Sequence, residues 1–339
     1  IIEEKNYKLN SYLSIKSLDK RLIPECLTWA NPIISRPRFI YKFHNVVISP
    51  IDSHVYFVDL NRSTIDLGSK FDCDHISIFD FYSKNDLLKA KQLHGNVLHV
   101  GISSSSTNFW HWMHEVFARL IRVKKEFDFD YFDYIVLPKM SKKFHYEAVN
   151  LLDLKQEKIL SEENFYWCCD NLYTLNIDNI QSSLDLKHFF HKVIDYKKES
   201  LKHIFLDRDA NSGEHNRVLN NFKNQRDLYK QAGFEFIFPE KLSLVDQARV
   251  FLGAKSLVGT SGAAFTLAGL MTPNSNVVEI LSRSWIDPAI SNNCAAAQLN
   301  YGFYVENSYR PNKYDDEWSR NRSSDISIDA NLVNHESII

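Results

Sequence analysis

The run TNFWHWMHEVFARLIR, Thr107 to Arg122, sets two histidines, two tryptophans and a glutamate in one short stretch directly after four consecutive serines. At 3.6 residues per turn, Asn108, His111, Glu115, Arg119 and Arg122 share one stripe of a helix, while Phe109, Trp112, Met113, Val116, Leu120 and Val123 share another. His111 and Glu115 stand one turn apart, within reach of each other. Three readings follow. In the first the polar stripe is a solvated face, each of its charge pairs adding a few tenths of a kcal/mol. In the second, HWMHE is a zinc motif, although HExxH and HxxEH space their ligands differently and no third ligand is evident. In the third, a histidine or glutamate beneath a serine loop acts as general base on a hydroxyl. Trp110 and Trp112 would then form a floor on which a pyranose ring stacks. The residues alone leave all three open.

A second constellation is SLVGTSGAAFTLAGL, Ser256 to Leu270. A buried strand runs into a loop of Gly259, Thr260, Ser261 and Gly262, which opens into an apolar helix from Ala263. Small residues let backbone N–H groups approach an anion, and the helix start adds partial positive charge, so a phosphate fits this place. Glu279, near the end of the following strand, is placed to accept hydrogen bonds from a ribose. The pattern is neither GxGxxG nor GxxxxGK, and tight strand-to-helix packing explains it equally well. Upstream, Arg208 leaves the end of a strand and Arg217 starts the next helix. Their guanidinium forks suit diphosphate oxygens, with ordinary solvated arginines as the plainer explanation. Glu240 and Lys241 follow another strand, with Lys241 expected to face the same crevice.

The elements that must position these residues alternate. NVLHVGI, DYIVLP (133–138), HIFLDR (203–208), FEFIFP (234–239), SLVGT (256–260) and VVEIL (277–281) are expected strands. Helical periodicity falls at 108–125, in FHYEAVNLLDL, near 216–232, at 243–253 and from about 262. This order predicts parallel sheets with crossover helices. Residues 38–70 carry short alternating runs, a β-rich antiparallel lead-in. The tail segment DISIDANLVNHESI is expected to pack back as a strand and short helix.

Composition sets the outer bounds. The chain has 339 residues, and 40 Lys+Arg against 42 Asp+Glu leave a formal charge of -2. No global field draws it to nucleic acid or to an anionic membrane. The five cysteines, Cys26, Cys73, Cys168, Cys169 and Cys294, show no zinc or disulfide spacing and are expected as free thiols in a reducing compartment. No apolar run approaches the roughly 20 residues that span a bilayer, and no secretory signal is evident. The chain begins without Met, which leaves room for a longer polypeptide with an anchor elsewhere.

NFWHWMHEVFAR resembles the N-[FY]-[FYW]-H-W-x-x-E-x-x-x-R signature of the family 61 glycosyltransferases, and further elements follow in order. FLDRD and NRVLNN are similar to the family's arginine segment, EKLSLVDQ to its glutamine helix, GTSGAAFTLAG to its loop and VVEI to its glutamate strand. The resemblance spans roughly residues 35–335 and is of the bacterial capsule and lipopolysaccharide type. It implies an α/β, GT-B-like fold: two Rossmann-like domains facing a cleft, behind a β-rich lead-in. The acceptor-side domain would occupy 1–180 and the nucleotide-sugar domain 181–339, the final segment returning to the first. The implied activity is transfer of a sugar, with inversion, from a nucleotide-activated donor to a saccharide hydroxyl. A noncatalytic saccharide-binding or scaffold protein on the same fold is the alternative.

Carried over residue by residue, the resemblance makes Glu115 the first choice for general base, with His111 as partner or substitute. Asn108, Trp110, Trp112 and Arg119 would bind the acceptor. Arg208, Arg217, Asn220, Glu240, Lys241, Gln247, Thr260, Ser261, Gly262, Ala263 and Glu279 would bind the donor. No cofactor is expected, a UDP-sugar being the favoured donor. No metal is expected either, since Asp128–Asp130 and Asp72–Asp74 stand in surface-like contexts rather than as a metal-binding Asp pair. The expected location is cytoplasmic, at the inner face of the membrane. Two positions depart from the family: Ser261 stands where a histidine is usual, and Leu267 or Ala268 where an asparagine is. Donor identity or affinity is therefore expected to differ.

Overall fold

The computed structural model describes residues 16–17, 39–48, 54–57, 62–66, 90–100, 107–161, 166–176, 178–195, 202–207, 219–220, 222–281, 288–305 and 326–327. They fall into two compact units, the first within Ser35–Leu186, the second within Lys187–Ile339 together with β1 (Lys16–Ser17).

The first unit is built on one seven-stranded mixed sheet. Its strands are β2 (Ile40–Ile48), β3 (His54–Phe57), β4 (Arg62–Asp66), β5 (Lys91–His99), β6 (Tyr134–Val136), β7 (Ile159–Leu160) and β8 (Trp167–Leu175), in the order β4-β3-β2-β8-β5-β6-β7. The antiparallel lead-in is present as β2, β3 and β4, but it is not a separate layer. Strand β2 pairs antiparallel along the length of β8, and β8 in turn pairs parallel with β5. The expectation of a parallel Rossmann-like first domain therefore holds only for β8, β5, β6 and β7. Val46, Ile48, Leu93, Val97, Val136, Trp167, Cys169 and Leu172 join the two halves in one buried cluster. That shared core is why lead-in and parallel strands form a single body.

Phe109–His111, Trp112–Phe117 and Ala118–Glu126 follow without a break as helix α1, α-helical at both ends and π-helical in the middle. It leads from β5 toward β6, and α2 (Lys143–Leu151) follows β6.

The second unit carries a six-stranded sheet, every pairing parallel. After α3 (Asn179–Val193) come β9 (Lys202–Leu206), β10 (Leu219–Asn220), α4 (Phe222–Gln231), β11 (Phe234–Ile237), α5 (Leu244–Leu252), β12 (Ala254–Thr260), β13 (Asn276–Leu281), α6 (Ala289–Ala296), β14 (Asn300–Val305) and β15 (Ile326–Ser327). The sheet order is β1-β14-β13-β12-β9-β11. Numbered from β9, the five consecutive strands read 2-1-3-4-5, a doubly wound order. Phe205, Tyr229, Phe234, Val258, Val278 and Ile280 form its core, and β12 and β13 are buried along nearly their whole length, as parallel strands covered on both faces must be. The described part of the tail is β15, which pairs with β10 in this unit rather than returning to the first.

Candidate functional site

In the first unit, the chain leaves β5 for α1 while β8 lies on the other side of β5. Order reverses there, and open α/β sheets receive ligands at the carboxyl ends of strands at such points. The four serines lie outside the described residues, which resume at Thr107. Asn108 is the N-cap of α1, its side chain accepting from Trp110 N at 2.9 Å. An exposed helix start needs such an acceptor for its orphan N–H groups, and this is the role the structure gives Asn108.

His111 Nδ1 lies 2.8 Å from Glu115 Oε2. The side chain of His111 is 32% exposed, that of Glu115 only 4%. The polar stripe is thus not a solvated face: Glu115 and Arg119 are buried, and so is every residue from Trp112 to Ile121. The middle of this helix is π-helical. Ala118 N–H reaches back to Met113 O, five residues rather than four, which widens the turn and shifts the α-helical wheel. π-helical turns of this kind concentrate at functional sites.

Arg119 corrects one expectation. Its Nε donates to Glu115 O and its Nη1 to Leu175 O at 2.7 Å, so the guanidinium points into the protein rather than toward an acceptor. Burial pulls it down to about 10, against the opposing pull of the Glu115 carboxylate. Trp110 and Trp112 correct another. Trp112 is fully buried, with its ring centroid 4.2 Å from that of His145, and Trp110 stacks on His114 at 4.0 Å with 17° between the planes. Imidazoles cover these rings, so they serve as packing and not as a sugar floor. His145 itself accepts at Nδ1 from Ser141 N and Lys142 N at 3.0 and 3.1 Å, capping α2.

In the second unit, parallel register brings the ends of four strands level. Leu206 pairs with Ile237 and Gly259, and Thr260 with Ile280, so the ends of β9, β11, β12 and β13 lie level. The order reverses between β9 and β12. Gly259 is there for packing: a Cβ would lie 2.8 Å from Leu206 Cβ and 2.9 Å from Leu206 O. Thr260 and Ser261 are buried, and Ser261 N–H donates to Ile280 O at 2.8 Å. The loop then runs into Ala263–Leu270, a 3₁₀ segment and not the α-helix expected from about 262. By that geometry the N–H groups of its first turn have no partner within the segment.

Glu240 and Lys241 are exposed in a short turn after β11, with Lys241 Nζ 4.5 Å from the Phe238 ring centroid. Gln247 is buried on α5 and reaches Leu242 O at 3.5 Å. Glu279 is fully buried, accepting at Oε2 from the Tyr301 hydroxyl at 2.6 Å. It stands inside the unit rather than at an open ribose site. Asp207, beside the expected Arg208, is paired with Arg226 at 3.2 Å. Arg208 and Arg217 lie outside the described residues, and Asn220 is described only as part of β10. Asp128, of the Asp128–Asp130 pair, accepts from Asp130 N, while Asp130 is bound by Lys155 Nζ at 2.7 Å. Among the described residues no three His, Cys, Asp or Glu side chains are grouped to hold a metal ion, and no helix is long and apolar enough to cross a membrane.

His111 and Glu115 of the first constellation and the Gly259–Gly262 loop of the second lie in one stretch of family likeness. Residues 109–278, half of the chain, match the family Glycosyltransferase 61, and the protein belongs to that family. No curated protein sequence matches the chain significantly.

Proposed function

We propose that the protein is an inverting glycosyltransferase on a GT-B-like fold. It moves a sugar from a nucleotide-activated donor, a UDP-sugar first among them, to a hydroxyl of a saccharide acceptor. The product serves capsule or lipopolysaccharide synthesis at the cytoplasmic face of the membrane. Family membership supports the transfer itself.

The observation that carries the mechanism is the 2.8 Å contact between His111 Nδ1 and Glu115 Oε2. A buried carboxylate on Nδ1 favours the proton there, leaving the Nε2 lone pair to act. Glu115 is covered and committed, while His111 is half-buried and reachable. His111 is therefore the general base and Glu115 the group that orients it, the reverse of the order expected from sequence. Nε2 takes the proton of the acceptor hydroxyl as its oxygen bonds to the anomeric carbon. The bond from that carbon to the donor phosphate oxygen breaks on the opposite face, and the nucleoside diphosphate leaves. Arg208, Arg217, Lys241 and the N–H groups of Gly262 and Ala263 neutralise the charge of the leaving diphosphate, with no metal required.

Ser261 gives the noncatalytic alternative its footing, because it lacks the usual imidazole and its N–H is engaged with Ile280 O. Incubation with a panel of nucleotide sugars separates the two. Slow nucleotide release that His111→Ala suppresses supports the transferase. Saccharide binding without release from any donor supports the binder.

A further inference from the structure

The 3₁₀ segment Ala263–Leu270 is eight residues long, whereas such helices seldom exceed three or four residues because their hydrogen bonds are poorly aligned. Two of its carbonyl groups are held from outside. Asn293 of α6, buried at 2% exposure, donates from Nδ2 to Thr266 O at 2.9 Å and to Phe265 O at 3.4 Å. Lys187 of α3 donates from Nζ to Met271 O at 2.9 Å, just beyond the segment's end. Within the segment, the Thr266 hydroxyl donates to Ala263 O at 2.5 Å. Gly269 makes the contact with α6 sterically feasible: a Cβ there would lie 2.6 Å from Asn293 Oδ1.

Two flanking helices thus supply side-chain donors, one within the 3₁₀ segment and one at the residue that follows it, and the segment begins where the Gly259–Gly262 loop ends. We propose that Asn293 and Lys187 are positioning residues for donor binding, holding Ala263–Leu270 in the form that presents the Gly262 and Ala263 N–H groups to the donor diphosphate. This rests on the reading of that loop as the donor site. Neither residue touches the donor. They act through the backbone they fix, as supporting contacts do for a preorganised site.

The test is titration of the 339-residue chain with UDP, GDP and CMP by calorimetry, at a temperature well below each variant's unfolding midpoint. Asn293→Ala and Lys187→Met are each expected to weaken the nucleotide that wild type binds by about tenfold, the factor for roughly one hydrogen bond. Lys187→Arg keeps a donor for Met271 O and is expected to restore affinity to within about twofold of wild type. A purely structural role would lower the unfolding midpoint and leave affinity unchanged, which overturns the proposal. If Asn293→Ala fails to fold, the Lys187 pair decides alone. Wild type that binds none of the three nucleotides overturns the donor-loop reading itself. Wild type that binds, with variants equal to it, overturns only the positioning role.

Discussion

Arg119 donates from Nη1 to the carbonyl oxygen of Leu175 at 2.7 Å, so the arginine of the His111 stripe ties α1 to the end of β8. Its charge lies beside the buried Glu115, whose carboxylate needs a compensating cation where water is excluded. Arg119→Met removes that cation and leaves Leu175 O without this donor. Leaving buried carbonyl acceptors without their charged donor costs about 1–3 kcal/mol, and urea denaturation of the variant should show a loss of at least that size. A loss under about 1 kcal/mol would be that of a surface arginine, and would contradict the buried geometry.

The division of labour between His111 and Glu115 is open to kinetics. General-base catalysis contributes about 10²–10⁴-fold, so His111→Ala is expected to lower kcat by that range. Glu115→Gln keeps the shape of the orienting group but not its charge, and a smaller loss is expected. Single-turnover rates would read both. A larger loss for Glu115→Gln than for His111→Ala would return the base to Glu115.

Periodicity placed His111, Glu115 and Arg119 on one stripe, and the contact between the first two exists. What the pattern could not carry was burial. The π-helical turn at Trp112–Phe117 has no signature in residue types, and the covering of Arg119 depends on β8, distant in the chain. Strand β8 itself escaped notice because WCCDNLYTL neither alternates nor runs continuously apolar, its pairing with β5 shifting register near Asp170. Trp110 and Trp112 were legible as large rings, but not as rings already covered by His114 and His145. In the second unit β9, β11, β12 and β13 were plain, since buried parallel strands are continuous apolar segments, whereas β14, NYGFYV, was not anticipated. The 3₁₀ form of AAFTLAGL was not, because Asn293 and Lys187, which hold it, are remote in sequence and ordinary in type.

His145 gives a pH signature. Burial, with the Lys142 charge adding to it, pulls its imidazole down to about 4 from an ordinary 6.5. The folded state thus resists a proton that the unfolded chain accepts. Between pH 6.5 and 4 the unfolded state binds more protons, so this contribution is present above pH 6.5 and is lost as pH falls toward 4. The full swing is of the order of 3 kcal/mol. Urea midpoints measured from pH 7 to pH 4 should fall more steeply for wild type than for His145→Asn. Parallel slopes would mean that His145 titrates normally in the folded protein.

Glu279 offers a contrast between framework and ligand. Its carboxylate is fully buried under the Tyr301 hydroxyl, and the nearby Cys294 thiol is pushed well above its ordinary range by burial and by that same charge. A buried carboxylate oxygen is costly to leave without the donor it accepts from. Tyr301→Phe deletes the hydroxyl donor to Oε2 and should cost about 1–3 kcal/mol in urea denaturation. Glu279→Gln should also lower stability, since the amide alters a pairing built for a carboxylate. Nucleotide affinity, measured on the folded fraction, should change by less than about twofold in either variant, because both side chains are buried inside the unit. A tenfold loss of affinity confined to Glu279→Gln would instead place that carboxylate on a ribose, as its position near the end of β13 first suggested.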